Sequence, residues 1–540
     1  MPNPSLPPQA DDLSALAWVQ SELRRSLENA HKALRRFLKE SEAIGKSDVD
    51  APDPGVLRSA RAQIHQGLGA LELVGLPVPA RMLRAEEAAV QKLLVRPAAL
   101  DEAAVQVIER ASFALLDYIG RVLAGKPLSP VAMYPQYRDV QVLAGADRVH
   151  PADLWDHDWR WLELPPEAGI EGVPADDAAR EVMESLVLEV MRTPNALTWS
   201  RISALCAGVA AGARGRSSTL WRLAAAFAEA QAGGLLPVDV HGKRVASRLL
   251  GQLRAAAKGQ DDPSDRLAED LLFFCAHARP ASGPAPRLGL VRRVWSVEAQ
   301  VPLDYETPRL GRFDPALILQ ARKRVAGAKD VWSAVAGGEA HRIGGLAEQF
   351  LLLGDSLQKL FPQGEVLSQA LQAAAARTVA EGNAPEPTLA MEVATGVLYL
   401  DAILEDGELD HPELAERVQR LAQRIDDVRS GGEAQPLEPW MEELYRRVSD
   451  RQTMGSVVQE LRASLSDAEK QIDQYFRNPS QRELLIPVPN QLASMRGVLS
   501  VLGMDQASAA VLHMRDDVDA LVSTEVDPGP STDWQRTWVR

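Results

Sequence analysis

The feature that most constrains the fold is an amphipathic stretch that occurs twice, once near each end of the chain. Residues 19–32 read VQSELRRSLENAHK and residues 457–470 read VVQELRASLSDAEK, which coincide at eight positions without a gap. A second match follows in each copy, GALELVG at 69–75 and GVLSVLG at 497–503. The duplication predicts that both ends of the chain fold into the same kind of helical unit.

The first copy reads as a series of amphipathic helices. Apolar residues recur at spacings of three and four between residues 13 and 37, and further helical patterns cover about 62–75, 80–94 and 100–123. Aromatic residues make up only 5% of the chain, and alternating strand patterns are hard to find. The sequence therefore predicts an all-α protein whose helices, joined by short turns, form antiparallel bundles.

The chain of 540 residues is too long for a single core. Loop-like stretches rich in proline, glycine and aspartate suggest where its bundles begin and end. The predicted organisation is a bundle at 1–127, a Pro/Trp-rich linker at 128–174, a degenerate bundle at 175–279, a linker at 280–312, degenerate bundles at 313–429 and 430–526, and an irregular tail at 527–540.

The helix at 62–75 carries the main candidate site. At about 100° per residue, His65, Gly69 and Glu72 should lie beside its buried apolar stripe. That stripe comprises Ile64, Leu68, Leu71 and Gly75. The pattern places an imidazole at the edge of a buried face, next to a residue without a side chain. This arrangement suits a histidine that is presented to a docking protein.

A histidine that accepts a phosphoryl group needs an exposed imidazole, open space for the partner and usually a nearby cation. His65 and Gly69 supply the first two, but Leu68 stands three residues after the histidine, where a cation is expected. The alternative is a histidine at a helix edge without chemistry. The aligned position in the last copy is Ala493, and weaker alignments place Ala204 and Phe350 there in the middle blocks. None of these is a nucleophile.

Composition excludes several classes of function. The net charge of −15 argues against binding to nucleic acid or to an anionic membrane surface. The sequence shows no export signal, and its most apolar stretch, 388–404, contains Glu392 and Asp401, which fits a core helix better than a membrane span. Cys206 and Cys275 are expected to be buried thiols. We expect a cytoplasmic protein without membrane insertion, metal or cofactor.

The segment 155–161, WDHDWRW, is the densest aromatic cluster. It is either a docking surface or a linker that its aromatic side chains anchor to a neighbouring bundle, and the second interpretation is the commoner one. His150 and His157 lie seven residues apart, which is not a recognised metal-ligand spacing.

Several helical signatures carry a family resemblance. They are LAWVQSEL at 16–23, IHQGLGAL at 64–71, LDYI at 116–119, LLFF at 271–274, GVLYL at 396–400 and the glycine-bounded repeat at 497–503. On these, the chain resembles the N-terminal region of ChpA/PilL-type chemosensory hybrid histidine kinases of type IV pilus systems. It is also similar to the stand-alone FimL proteins related to that region.

The resemblance implies a tandem array of four histidine-phosphotransfer (Hpt) bundles, mostly degenerate. It makes His65 the candidate phosphoryl acceptor, with Gly69 and Leu68 at the supporting motif positions. The implied partners are receiver domains of response regulators, a chemosensory kinase core and polar pilus-associated proteins, which would place the chain at the cell pole.

Two functions remain open at this point. The first is a scaffold of the pathway that drives twitching motility. The second is an active phosphotransfer module, which could be the N-terminal part of a CheA-like kinase. We recognise no kinase catalytic domain, catalytic triad or phosphate-binding loop in the sequence, and whether the chain has enzymatic activity stays open.

Overall fold

In the computed structural model, the described residues are 10–44, 53–126, 128–260, 262–281, 283–406, 413–478, 481–502 and 504–523. Within these ranges the regular elements are helices, and no strand occurs, which confirms the all-α prediction. The chain divides into two compact units, Met1–Pro315 and Ala316–Arg540. The predicted tail at 527–540 lies outside the described residues, and the four-bundle division as a whole stays a prediction.

The first unit begins with a four-helix bundle. Its helices are α1 (Ala10–Ile44), α2 (Pro54–Leu73), α3 (Pro77–Val95) and α4 (Glu102–Leu123). Each helix packs against the next in the chain, and α4 also packs against α1, which closes the ring. The apolar stripe of each helix faces the centre of this ring.

Local sequence signals explain where these helices begin and end. Asp53 caps α2 by accepting a 2.7 Å hydrogen bond from the backbone N–H of Gly55, and Asp101 caps α4 in the same way through Ala104. After α2, Gly75 adopts a left-handed φ of +78°, which ends the helix. The sequence predicted Gly75 as part of the buried stripe. This prediction is wrong, because α2 ends at Leu73, two residues before it.

The core of the first bundle contains three buried polar side chains that are linked in a row by short contacts. The Ser112 hydroxyl donates to Glu86 Oε2 at 2.8 Å and lies 3.0 Å from His31 Nε2. Burial raises the pKa of the Glu86 carboxyl to about 8, although the hydrogen bond from Ser112 opposes this shift. Burial and the nearby Arg35 lower the pKa of His31 to about 4. Both side chains are therefore neutral near pH 7.

The rest of the first unit packs onto this bundle. The segment predicted as a linker at 128–174 contains α5 (Tyr134–Ala144), which lies against α3 and α4. The remaining helices are α6 (Asp177–Arg192), α7 (Ala196–Gly212), α8 (Gly215–Ala232), α9 (Val240–Ala257), α10 (Asp265–Ala276) and α11 (Pro286–Val294). One continuous core runs from Leu16 to Leu310, so residues 128–174 are an integral part of the unit.

The aromatic segment 155–161 anchors this packing. Trp155 is buried and stacks on His157 at 4.2 Å between ring centroids, and Trp159 stacks on Trp295 at 6.1 Å. Trp161 donates its indole N–H to Asp265. Because these rings contact neighbouring parts of the same unit, the structure favours the anchoring interpretation over the docking interpretation.

The second unit contains eight helices among its described residues. They are α12 (Pro315–Ala336), α13 (Leu346–Leu360), α14 (Glu365–Glu381), α15 (Pro387–Asp406), α16 (Leu414–Arg429), α17 (Pro439–Arg477), α18 (Val488–Val501) and α19 (Asp505–Ser523). The N-terminal part of the 39-residue α17 packs against α15, and its C-terminal part forms a small core with α18 and α19.

One described helix is long and apolar enough to cross a membrane, Pro387–Glu405, with a mean hydropathy of 1.3. Core helices pass the same test, and 61% of this segment is buried within the protein. It carries Glu392, which forms a buried bidentate ion pair with Arg424. Arg424 Nη2 donates to Glu392 Oε1 at 2.6 Å and Arg424 Nε donates to Glu392 Oε2 at 2.9 Å. Arg424 also donates to the carbonyls of Gln435 and Pro436, which fixes the chain between α16 and α17.

The buried Glu86 carboxyl makes the stability of the first unit depend on pH. Between its ordinary pKa of 4.5 and about 8, the folded protein keeps the Glu86 proton and the unfolded chain loses it. Glu86 therefore contributes a fall in the free energy of unfolding as pH rises through this window, by up to about 1.4 kcal/mol per pH unit. Below about pH 6.5 the lowered pKa of His31 contributes in the opposite direction. Glu86→Gln should remove this slope in denaturant titrations at about pH 5.5 and about pH 8. An equal effect of the substitution at both pH values would contradict the prediction.

Candidate functional site at His65

His65 lies where the sequence predicts it, on the outer surface of α2 beside the buried stripe. Ile64, Leu68 and Leu71 are buried in the bundle core, whereas 69% of the His65 side chain is exposed. The stripe faces the core because burial of three large apolar side chains outweighs the weak preferences of the polar ones. The imidazole is consequently accessible to a partner.

A carboxylate on the next helix orients the imidazole. His65 Nδ1 lies 3.1 Å from Glu87 Oε2, and Glu87 on α3 is itself mostly buried. A carboxylate only accepts hydrogen bonds, so Nδ1 is the nitrogen that carries the proton. Nε2 then holds the lone pair and makes no hydrogen bond to another described residue.

The structure places a cation near the histidine, which the sequence alone could not do. Arg61, one turn before His65 on α2, donates to Glu87 Oε1 at 3.0 Å and to Gln91 at 2.8 Å. Glu87 therefore binds the arginine and the histidine at the same time. The motif position three residues after His65 is Leu68, whereas a spacing of four before the histidine also places a residue on the same helix face.

The surface beside His65 is open. A Cβ added at Gly69 would meet no heavy atom within 4 Å. Gly67, on the buried side of α2, differs, because a Cβ there would lie 2.7 Å from Leu23 Cδ1 and 3.3 Å from Leu83 Cδ1. Gly67 thus leaves room for the side chains of Leu23 and Leu83 in the core, while Gly69 leaves space for something outside the bundle.

The two glycines predict opposite effects on stability. Gly69→Ala should raise the free energy of unfolding by roughly 0.5–1 kcal/mol, because alanine favours a helix interior and meets no obstacle. Gly67→Ala should lower it, since its Cβ would clash with Leu23. Denaturant titration of both variants checks the pair, and a destabilised Gly69→Ala protein would show that the surface beside His65 is not open.

The aligned positions in the other copies show different environments. Ala493 is exposed on α18, and its neighbours Leu492, Met495 and Leu499 are buried at the positions of Ile64, Gly67 and Leu71. This burial pattern supports the alignment of the first and last copies. Ala204 on α7 is likewise exposed.

The weak alignment of Phe350 with His65 is wrong in register. Phe350 is buried and its ring lies edge-on to Trp332, at 5.8 Å between centroids, so it occupies a core position rather than an exposed one. An aromatic ring without polar atoms has its favourable place in the core, and a short apolar match could not distinguish the two faces of the helix.

The other candidate residues from the sequence are buried or partly buried. Cys206 and Cys275 are buried free thiols, as predicted. His150 is buried with its Nδ1 3.2 Å from Asp270 Oδ1, and His157 is partly buried against Trp155. The described residues contain no group of three or more His, Cys, Asp or Glu side chains placed to hold a metal ion.

Comparison with protein families identifies two regions of the chain. Residues 173–308 match the family described as the FimL scaffold protein second domain, and residues 449–534 match the FimL C-terminal domain. The chain is FimL-like. No curated protein and no solved structure matches this FimL-like chain.

The matched regions do not include the His65 site. The bundle that carries His65 in the FimL-like chain, α1 to α4, precedes both of them. The role of His65 as a phosphoryl acceptor and the relation to ChpA/PilL kinases therefore stay predictions, as does the Hpt character of the bundles.

Proposed function

We propose that this FimL-like chain is a cytoplasmic scaffold of the chemosensory pathway of type IV pili, acting at the cell pole. On this proposal its bundle faces hold receiver domains of response regulators, the chemosensory kinase core and polar pilus-associated proteins. The observation that carries the proposal is the match of two separate regions to FimL domains, one of them described as part of a scaffold protein.

The architecture suits such a role. The second FimL domain region spans α6 to α11, and the C-terminal region begins within α17 and includes α18 and α19. Rigid helical units that bury their own cores can present several outer faces to different partners at once. The exposed surface of α2 around His65 and Gly69, which we call the His65 face, is open because Gly69 has no side chain. It is the best candidate for contact with a receiver domain.

A binding experiment tests the scaffold proposal. The full chain is titrated with the receiver domain of a pilus response regulator and, separately, with a polar pilus-associated protein in a calorimeter. We expect saturable binding of both. Gly69→Arg should weaken receiver binding at least tenfold, because its side chain fills the open surface without disturbing the core. Val142→Arg, on the exposed side of α5, is the matched control and should bind normally.

The absence of binding to every partner tested, with the chain folded by circular dichroism, would reject the scaffold proposal. Equal weakening by Gly69→Arg and Val142→Arg would show that receiver domains do not use the His65 face.

A specific observation also favours a second function, in which His65 carries a phosphoryl group. The hydrogen bond from His65 Nδ1 to Glu87 leaves the Nε2 lone pair directed away from that bond, on a side chain that is mostly exposed. In-line attack by Nε2 on a donor phosphorus would form the N–P bond, while the bond from phosphorus to the donor atom breaks and the donor keeps its electron pair. Glu87 would stabilise the positive charge that develops on the imidazole.

Phosphotransfer is tested with radiolabelled ATP and the chemosensory kinase core, or with a phosphorylated pilus response regulator. We expect an acid-labile label on the wild-type chain and none on His65→Gln. Glu87→Gln should reduce the rate about tenfold while leaving the site intact, because the amide can still accept the hydrogen bond but carries no charge.

The controls separate the two functions. No label on the wild-type chain, with receiver binding intact, would reject phosphotransfer and leave the scaffold role. Label on the His65→Gln variant would show that another residue accepts the phosphoryl group.

A further inference from the structure

The long helix α17 carries an apolar stripe that extends well beyond the core it belongs to. The stripe, which we call the α17 seam, follows alternating spacings of four and three. It comprises Met454, Val458, Leu461, Leu465, Ala468, Ile472 and Tyr475. An average spacing of 3.5 residues is the period of helices that pair along their length in a left-handed coiled coil.

Among the described residues, the α17 seam is covered mainly in its C-terminal part, and Leu461 is partly buried against the same core. Ala468, Ile472 and Tyr475 are buried in the small core with α18 and α19. Towards the N-terminus the seam emerges into solvent, with Met454 46% exposed, Val458 39% and Leu465 38%. A regular helix that presents large apolar side chains at a coiled-coil period can bury them against a second helix.

The first copy of the repeat offers a comparison for the exposed part of the seam. Leu23 and Leu27 of α1, the counterparts of Leu461 and Leu465, are fully buried. In that bundle a fourth helix, α4, packs against α1 and closes the ring. The described residues of the C-terminal copy form three helices, α17 to α19, and Val458 and Leu465 of the first of these stay partly exposed.

We propose that the α17 seam pairs with the same seam of a second copy of this chain, in an antiparallel coiled coil centred near Val458. The proposal does not depend on the scaffold or phosphotransfer functions. A second copy fits because the seam is complementary to itself when it is reversed, as a two-fold symmetric interface requires.

Charge provides that complementarity. Residues 446–456 contain three arginines and one aspartate, whereas residues 459–469 contain three carboxylates and one arginine. Antiparallel pairing places the basic half of each helix against the acidic half of the other, and parallel pairing would place like against like. Within the chain, Arg446 already pairs with Glu443, Arg451 with Glu405, and Asp467 with Lys470. The complementarity therefore rests on the net charge of each half.

The centre of the segment allows close approach of two helices. Gly455 has no heavy atom within 4 Å of an added Cβ, and Ser456 beside it is small and exposed. The uncovered part of the seam extends over only about three turns. Such a short contact predicts a dimer that dissociates on dilution into the low micromolar range. This corresponds to a standard free energy of dimerisation of about −8 kcal/mol or weaker.

Sedimentation velocity of the full chain tests the proposal between about 1 and about 100 µM. We expect a monomer–dimer equilibrium that Val458→Glu shifts at least tenfold towards monomer, because it places two carboxylates against each other at the symmetry axis. Ala463→Glu, an exposed position on the opposite side of α17, is the matched control and should leave the equilibrium unchanged.

Cysteine cross-linking tests the orientation. Under oxidation, Val458→Cys should form a dimer through its own symmetry mate. Met454→Cys should not, because antiparallel pairing separates the two copies of residue 454 by about 12 Å along the axis, too far for a disulfide. The native Cys206 and Cys275 are buried and leave a low background.

Three outcomes would overturn the proposal. A chain that stays monomeric at every concentration would show that the seam is not a contact between copies, and would leave a helix of another protein as its occupant. A dimer unaffected by Val458→Glu would place the interface elsewhere. Cross-linking of both Met454→Cys and Val458→Cys would establish parallel pairing, in which each residue faces its own counterpart, and would reject the antiparallel arrangement.

Discussion

Burial of one apolar stripe per helix is the interaction on which the rest of this structure depends. In the first bundle it sets the rotation of α2 about its own axis, since Ile64, Leu68 and Leu71 must all reach the core. Once that rotation is set, His65 has only the outer surface available to it. At Gly67, where no side chain is present, Leu23 and Leu83 fill the space beside α2, so a slip in register that placed a larger residue there would meet a steric barrier.

Polar groups inside the cores add specificity to this apolar packing. The Glu86–Ser112–His31 chain joins three helices of the first bundle, and the Glu392–Arg424 pair joins α15 to α16. Each buried polar group is costly to leave without a partner, so alternative packings that separate these groups are disfavoured. Arg424 also ties down the backbone of the segment that follows α16, which reads as a loose connection in the sequence.

The two copies of the repeat show that the same local sequence can have different surroundings. Both produce a long amphipathic helix with its apolar residues at matching positions, and the exposed Ala493 corresponds to the exposed His65. They differ in exposure, because α1 packs against α4 and Leu27 is buried in the first copy, whereas Leu465 is 38% exposed in the last. Exposure therefore depends on neighbours that the repeat itself does not encode.

The sequence by itself determined the all-helical fold, the duplication and the outward position of His65, because helical periodicity is a local property that decides which side chains share a face. It did not show that residues 128–174 belong to a continuous core. Only the tertiary structure brought Glu87 and Arg61 together at His65. Glu87 lies on a different helix, 22 residues away, and which residues of two helices meet depends on their relative rotation and rise. Packing of the whole bundle sets those two quantities, and no local pattern records them.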